Sequence, residues 1–449
     1  MKRLVTFAVL IAGLAAGCAI HPEGEREERD RAAAALDELD AEVPALPAAP
    51  ALADYLRTAF HADAALRQAY WEWRAALERI PQEASPPDVA LSFDYLFSDE
   101  HMSSWDRTTL GLSNDPSAMI PLPGKLAAAG RRALEEARAA GLRFEAAKFA
   151  LQADVTSLYA DLALHGELIR LQQEEVGLLA LAAGEAGAQL ASGASQDEQV
   201  RRQTLLDVAR IDLDNLHAQM PILAARMNAR LGRAPDAPVP LPAALPEPPQ
   251  LSARDDEILA RVAERSPELS ALARDVAGRE EALDLARQAA VPDFGFSLSL
   301  TGSLERSIGG MLTLPVRREA IAGGIAEADA LLRAAHAARE QYGRNLAAAA
   351  VLDLVVLRNA ERQASLFREV LLPRAELLAR TAEAGLSSGQ GDLGAALTAR
   401  RDLLDTRRTL AQLQTERFKA LAAIESASDL DVDSLMHPRM GMVAGSPER

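Results

Sequence analysis

A serine flanked by glycines is the first feature of the chain that could carry chemistry. Residues 385–389 read Gly-Leu-Ser-Ser-Gly, a G-x-S-x-G pattern, which in one class of hydrolases raises a nucleophilic serine on a sharp turn between a strand and a helix. Here the upstream residues LLARTAEAG have no strand pattern, and His437 is the only histidine that follows Ser387. A serine nucleophile needs a histidine as its base. We therefore interpret the motif as a turn between two helices and predict that the chain is not an enzyme.

Residues that could bind a metal are few and scattered. The single cysteine, Cys18, excludes a disulfide framework and a cysteine-based metal site. His101 and Met102 lie in a predicted loop, and Met119 and Met311 flank predicted strands, where methionine usually packs against its neighbours. We predict no metal site and no cofactor.

The composition indicates a large helical protein. The chain has 449 residues, of which 49% are hydrophobic and only 4% aromatic, and alanine and leucine dominate. Its formal net charge of −17 makes nucleic acid a poor partner. Beyond the first residues, no stretch offers the roughly 18 apolar residues that a membrane helix needs.

The N-terminal stretch MKRLVTFAVLIAGLAAGC has the build of a secretory signal peptide, with two basic residues, an apolar run and small residues. Its ending, residues 14–18, resembles a bacterial lipobox, which implies that Cys18 is lipidated and becomes the first mature residue. Ala19 is not the aspartate that retains such lipoproteins in the inner membrane. The alternative is an ordinary signal peptide with an accidental cysteine.

The sequence consists of two related halves. A proline-rich linker at residues 233–250, which we predict to be extended, joins them. Three stretches recur in the same order: 86–97 and 291–300, 119–125 and 311–317, and 190–197 and 386–393.

Each half contains two predicted strands with period-two alternation. One face of the first strand carries Val89, Leu91, Phe93, Tyr95 and Phe97, and the matching face in the second half carries Phe294, Phe296, Leu298 and Leu300. The opposite faces are mostly polar. The second strands, near 105–113 and 307–314, have a weaker pattern.

Helices account for the rest of each half. We predict first helices near 52–80 and 254–290, long helices at 124–190 and 316–385, and shorter return helices at 196–231 and 392–426. About 67 residues at 1.5 Å each give on the order of 100 Å of helix. In the first long helix a heptad seam includes the polar residues His165 and Gln172, and Pro373 should kink or interrupt the second. The glycines of the two turns are interpreted as helix stops.

Four strands cannot close a barrel with an interior, and a membrane does not tolerate open sheet edges. Three chains would provide twelve strands, an even number that an outer-membrane barrel can use. The predicted fold is therefore mainly α with a small β part: a duplicated helix–β-hairpin–long helix–short helix, in a trimeric helical periplasmic tunnel below a twelve-stranded outer-membrane β-barrel, with apolar residues towards lipid.

This order of elements resembles the TolC family of outer-membrane factors. The likeness covers roughly residues 51–427 and includes IPLPGKL after the second strand, the Ser-Gly turns and the closing stretch DLGAALTARRDLLDTRRTLAQLQTERFKALAAIE. The PLPGKL form and the lipobox favour the metal- and drug-efflux branch. The resemblance implies a homotrimer in the outer membrane of a Gram-negative bacterium, working with a periplasmic adaptor and an inner-membrane pump of RND or ABC type.

The resemblance also implies where the functional residues lie. The turns Ser192-Gly193 and Ser388-Gly389 would contact the adaptor. The acidic positions that ring the closed periplasmic end in the family's best-known form are here Ala395, Thr398 and Gln199. The nearest candidates for a gate are Asp197, Glu198, Asp392, Arg400 and Arg401. The acids could instead be helix-start residues favoured by the dipole, and the arginines, with Arg201 and Arg202, could pair with them or be solvated.

These observations predict an efflux channel that conducts metal ions or small toxic compounds. A type I protein-secretion conduit uses the same architecture, and a lipid-anchored periplasmic coiled-coil scaffold without a pore is the alternative from another class. The predicted segments are a signal peptide at 1–17, an anchored segment at 18–50, repeats at 51–232 and 251–427 with the linker 233–250 between them, and a tail at 428–449.

Overall fold

The computed structural model describes most of the chain. The described residues are 19–42, 46–97, 101–114, 119–191, 196–242, 245, 247, 254–388 and 391–428. Cys18, Ser192, Gly193 and Gly389 lie outside them, as does the side chain of Glu198.

The described chain divides into two compact units, and each unit draws on both halves of the sequence. One takes in the described residues of Met1–Leu36, Ala69–Phe144 and Glu268–Tyr342. The other takes in those of Asp37–Gln68, Glu145–Pro267 and Gly343–Arg449. We call them the sheet unit and the helical unit.

The element order confirms the predicted fold class, which is mainly helical with one small sheet. An N-terminal helix, α1 (Glu25–Leu39), precedes both repeats. The first half contains α2 (Leu52–Ala62), α3 (Ala64–Glu83), β1 (Val89–Tyr95), β2 (Thr108–Asn114), α4 (Pro123–Ala191) and α5 (Gln196–Arg230). The second contains α6 (Asp255–Arg265), α7 (Pro267–Arg287), β3 (Phe294–Thr301), β4 (Glu305–Leu312), α8 (Arg318–Leu366), α9 (Leu372–Ser387) and α10 (Leu393–Ser428).

The four strands form one antiparallel sheet in the order β1-β2-β3-β4. β2 and β3 join the two halves, with residues 109–113 opposite 297–301. The β3–β4 turn contains Gly302 at φ +48°, where an added Cβ would come within 2.3 Å of the Asp106 Cα. Only glycine fits this close approach between the two hairpin ends.

The sheet unit has an aromatic core between its helices. Trp73 stacks on Phe144 with ring centroids 5.7 Å apart, and Tyr70 meets Phe144 edge-on. The buried carboxylate of Glu28, from α1, accepts a hydrogen bond from the Trp73 indole at 3.1 Å. Burial raises the pKa of Glu28. Sequence analysis missed α1 because its charged composition hides the few positions that it buries.

Each predicted first helix is in fact two helices. The chain is extended at Asp63, between α2 and α3, and at Ser266, between α6 and α7. Ser266 precedes Pro267, whose ring disfavours a helical conformation at the residue before it. Asp63 ends α2 and caps α3, since its carboxylate accepts the Leu66 N–H at 2.9 Å.

The second long helix is interrupted near Pro373, as predicted. α8 passes into a single π-helical stretch at Phe367–Leu371, and α9 follows with the proline in its first turn. Proline has no N–H to donate and its ring crowds the preceding turn, which a wider helical turn relieves. In contrast, α4 contains no proline after its first residue and runs unbroken over 69 residues.

Two features hold the helical unit together away from its turns. An apolar cluster joins α6, α8 and α10 through Ile258, Leu354 and Leu421. The Tyr55 hydroxyl donates to the Pro240 carbonyl at 2.6 Å, and burial raises the pKa of Tyr55 to about 12. No helix in the described part of the chain is long and apolar enough to cross a bilayer.

We expect Asp63→Ala to lower the free energy of unfolding by about 1–2 kcal/mol, because it removes the α3 cap. It also removes an ion pair with Arg230 at 3.3 Å. Asp63→Asn is the matched control, since an amide oxygen still caps the helix but carries no charge. Thermal unfolding followed by circular dichroism measures both variants. Equal loss in the two would assign the effect to the ion pair rather than the cap.

Candidate functional site

The sheet has one apolar face, which is exposed on the two outer strands, whereas Leu112 in the middle is buried. The register places Leu91, Leu112, Leu298 and Ile308 in one row across all four strands. Leu91 and Ile308, at the two ends of this row, are 74% and 85% exposed. A large exposed apolar surface of this kind marks a site of contact with a partner or a membrane.

The opposite face of the sheet is lined by hydroxyl groups and glycines. The neighbouring row consists of Ser92, Gly111, Ser299 and Ser307. The Ser299 and Ser307 hydroxyls lie 2.8 Å apart, and those of Thr109 and Thr301 are 3.0 Å apart. The period-two alternation predicted from the sequence is therefore confirmed in the register.

The sheet is open at both sides. β1 pairs only with β2, and β4 pairs only with β3, within the described sheet. Each outer strand therefore presents a row of backbone N–H and C=O groups that bond only to water or to another strand.

A cluster of ion pairs lies in the helical unit between α4 and α10. Glu175 is buried and accepts hydrogen bonds from Arg401 at 3.0 Å and from Arg408 at 2.5 Å. Beside this pair, Arg400 donates to Glu174. Burial opposes the charge of Arg408, but Glu175 outweighs it and raises the pKa of the guanidinium. We call these five residues the charged seam.

Apolar contacts help to hold the helices of each hairpin together, and in the second hairpin Arg400 also pairs with Glu383, and Arg407 with Glu376. Leu179 of α4 packs on Leu206 and Ala209 of α5. Ala379 of α9 packs on Leu403 of α10. Gln172 bonds to both the first hairpin and the charged seam. Its side chain donates to the Ala209 carbonyl at 3.0 Å and accepts from Arg408 at 2.7 Å. The sequence signal for the charged seam was this glutamine, a polar residue in the predicted heptad pattern of the first long helix.

The gate candidates from the sequence have different partners from those expected. Asp392 caps α10, accepting the Ala395 N–H at 3.1 Å, which is the helix-start role. Arg400 and Arg401 do pair across neighbouring helices, but with Glu174 and Glu175 rather than with Asp392. Asp197 is exposed in the first turn of α5.

Sequence reasoning missed Glu174, Glu175 and Arg408. Their types are common on helix surfaces, and only the packing of α10 against α4 brings them together.

The G-x-S-x-G serine lies at a helix end, as predicted. Ser387 is the last residue of α9, and its hydroxyl donates to the Ala384 carbonyl at 2.9 Å. The interpretation of the glycines as left-handed helix stops is wrong for the described ones. Gly385 lies inside α9, and Gly391 is needed because a Cβ there would come within 2.7 Å of the Gly385 backbone.

No group of three or more His, Cys, Asp or Glu side chains in the described chain is arranged to hold a metal ion.

Comparison with solved structures identifies the fold. No protein-family model and no curated protein sequence matches the chain. The Campylobacter jejuni CmeC outer membrane channel superposes with a TM-score of 0.71 at 14% identity, covering 86% of this chain and 88% of that one. The Neisseria gonorrhoeae MtrE outer membrane channel, in its open state, gives 0.70 at 17% identity, covering 87% and 94%. A membrane protein from Pseudomonas aeruginosa gives 0.69 at 19% identity, covering 86% and 99%.

The chain therefore has the fold of outer-membrane channels. This confirms, at the level of the fold, the resemblance to TolC-family outer-membrane factors that the order of motifs indicated.

We expect Glu175→Ala to lower the free energy of unfolding by about 3 kcal/mol, because it leaves Arg401 and Arg408 without their shared buried carboxylate. Glu167→Ala is the control on the same helix, since Glu167 forms an exposed pair with Arg170. Such a pair contributes about 0–1 kcal/mol. Denaturant unfolding of the detergent-solubilised protein measures both, and similar losses would contradict a stabilising role for the seam.

Proposed function

We propose that the chain is the outer-membrane channel of a tripartite efflux system. The observation that carries the proposal is the open four-stranded sheet with an exposed apolar face, on a chain with the fold of outer-membrane channels. Three copies would supply twelve strands and pair every edge, which leaves no unsatisfied backbone in the membrane. The apolar face would then contact lipid, and the hydroxyl-lined face would surround the lumen.

Exposed apolar side chains on the helices support the assembly of several copies. In the helical unit, Leu205, Val208 and Ile211 of α5 and Leu352 and Val355 of α8 are all exposed. Their spacing of three residues along each helix places them on one side. In the proposed homotrimer, neighbouring chains would cover these stripes and form a periplasmic tunnel.

The partners and anchorage follow from the same proposal. The helix turns around Ser192-Gly193 and Ser388-Gly389 would contact a periplasmic adaptor, which links the channel to an inner-membrane pump. Cys18 would carry the lipid anchor in the outer membrane of a Gram-negative bacterium. The cargo would be metal ions or small toxic compounds, and the chain itself would need no cofactor and catalyse no reaction.

The charged seam supports a role in closing the periplasmic end. Both hairpins contain apolar contacts, supplemented in the second by ion pairs of Arg400 and Arg407 with α9, whereas the two hairpins meet through the charged seam. Ion pairs can exchange their partners for water when the hairpins separate, but apolar contacts cannot. We propose that opening breaks this seam and leaves each hairpin intact.

The membrane-facing assignment predicts opposite results for adjacent residues. Phe296→Arg should prevent trimer assembly, because a basic side chain near the middle of the lipid face costs about 2–4 kcal/mol in each chain. Ser297→Arg should be tolerated, since its side chain would point into the lumen. Heat-modifiable migration on a gel, with the protein extracted from outer membranes, reports the trimer. Equal tolerance of both changes would show that this face does not contact lipid.

The channel assignment predicts a trimer that conducts ions in planar bilayers. Wild type should show small conductance steps, and Arg401→Ala should show larger or more frequent ones because the seam is weakened. Ser387→Ala is the control and should match wild type, as its hydroxyl bonds only within a helix end. A protein that needs no detergent and shows no conductance would instead be a periplasmic scaffold.

A further inference from the structure

Aromatic and basic side chains gather at the hairpin end of the exposed sheet face. Tyr95, at the end of β1, contacts Phe97 with ring centroids 4.9 Å apart. The guanidinium of Arg107 lies 5.3 Å from the Tyr95 ring centroid, in cation–π contact. Trp105 and Arg306 are also exposed here. We call these five residues the hairpin-end rim.

Arg306 occupies an apolar position of the sheet. Its row across the strands is Phe93, Leu110, Leu300 and Arg306. Every other member of the row is apolar, so the Arg306 side chain projects from the face of the sheet that we assign to lipid. A charge on that face costs about 2–4 kcal/mol at the bilayer midplane but only about 0–1 kcal/mol near the interface. Arg306 is therefore expected at the edge of the hydrocarbon layer.

The length of the apolar surface agrees with this position. From Arg306 the exposed apolar side chains continue through Ile308 and Leu312 to Leu314. Eight residues of extended chain span about 26 Å, or about 20 Å after strand tilt, close to the roughly 25 Å apolar band of outer-membrane barrels. Arg306 thus lies about one hydrocarbon thickness from the opposite end of the band, at the level of the lipid head groups.

The guanidinium of Arg107 has one nitrogen without a hydrogen-bond partner among the described residues. The Arg107 Nε is buried and has no partner in the described chain. The carboxylate of the neighbouring residue, Asp106, already accepts hydrogen bonds from the Ser103 hydroxyl at 2.6 Å and from the Ser303 N–H at 2.8 Å. These bonds also lower the pKa of Asp106 and fix the two hairpin ends to each other. The rim therefore contributes two guanidinium groups, each next in sequence to an acidic residue, Asp106 or Glu305, on a chain whose net charge is −17.

We propose that the hairpin-end rim binds the phosphate groups of a phosphorylated lipid in the outer leaflet, which rests on the membrane assignment in the proposed function. Guanidinium groups bind phosphate oxygens bidentately, and desolvation at the membrane surface strengthens such bonds. Tyr95, Phe97 and Trp105 supply the amphipathic aromatic belt that lies at head-group depth. The lipid would hold the strand ends at a fixed height in the bilayer.

Native mass spectrometry of the detergent-solubilised full chain tests this proposal. The probes are diphosphorylated lipid A, monophosphorylated lipid A and inorganic phosphate. Wild type should retain the diphosphorylated lipid best, and millimolar inorganic phosphate should not displace it. Each of Arg107→Gln and Arg306→Gln should weaken this binding by about three- to tenfold, and the double variant by more, since each removes charge-assisted hydrogen bonds. Arg261→Gln, on the exposed surface of α6, is the matched control and should bind as wild type.

The outcomes separate this inference from the proposed function. Displacement by inorganic phosphate alone would identify a general anion site and overturn the lipid assignment. A double variant that forms conducting trimers and retains the lipid as wild type does would overturn the role of the rim. A wild-type protein that neither forms trimers nor conducts contradicts the proposed function itself, and this inference with it.

Discussion

Backbone hydrogen bonds that one chain cannot complete are the constraint on which the rest of the structure depends. Among the described residues, β1 and β4 each have one unpaired side, and the same two strands expose their apolar side chains. A single copy cannot satisfy both features, because closing four strands on themselves leaves no interior. Several identical copies can satisfy both, because β4 of one chain can pair with β1 of the next until a head-to-tail ring closes. Glycine, serine and threonine keep most side chains short on the other face of the sheet.

The duplication of the sequence builds this sheet by joining two hairpins in register. β2 and β3 pair so that Leu110 lies opposite Leu300 and Leu112 opposite Leu298, which continues the apolar rows across the junction. A slip of one residue would place the second hairpin's leucines on the hydroxyl-lined face. Where the ladder ends, the Asn114 side chain accepts the Phe296 N–H at 2.7 Å and extends the pairing. The matched alternation of both hairpins therefore specifies one register strongly.

The features that the sequence predicts well are those with a local physical cause. Strand alternation is readable because each strand separates two different environments, and the interruption near Pro373 is readable because proline lacks an N–H to donate. The break at Asp63 was missed because neither glycine nor proline marks it in the sequence. Its role shows only in the contact with Arg230 and in its carboxylate, which accepts the Leu66 N–H. The partners of Arg400 and Arg401 were left open by the sequence for a related reason. Helical periodicity gives the face of a residue, but it does not identify which neighbouring helix that face meets.

The charged seam and the apolar clusters divide the helical unit into parts that differ in how they can move. Within a hairpin, Leu179 with Leu206 and Ala379 with Leu403 would expose apolar surface on separation, which water opposes. Between hairpins, separation would release Glu175 and its two arginines into water, which solvates them and recovers much of the lost interaction. The charged seam is therefore where we expect the two hairpins to separate. Further along, the cluster around Leu354 and Leu421 anchors α10 to α8, so movement of the α9–α10 hairpin would be greatest near its turn and smallest at that cluster.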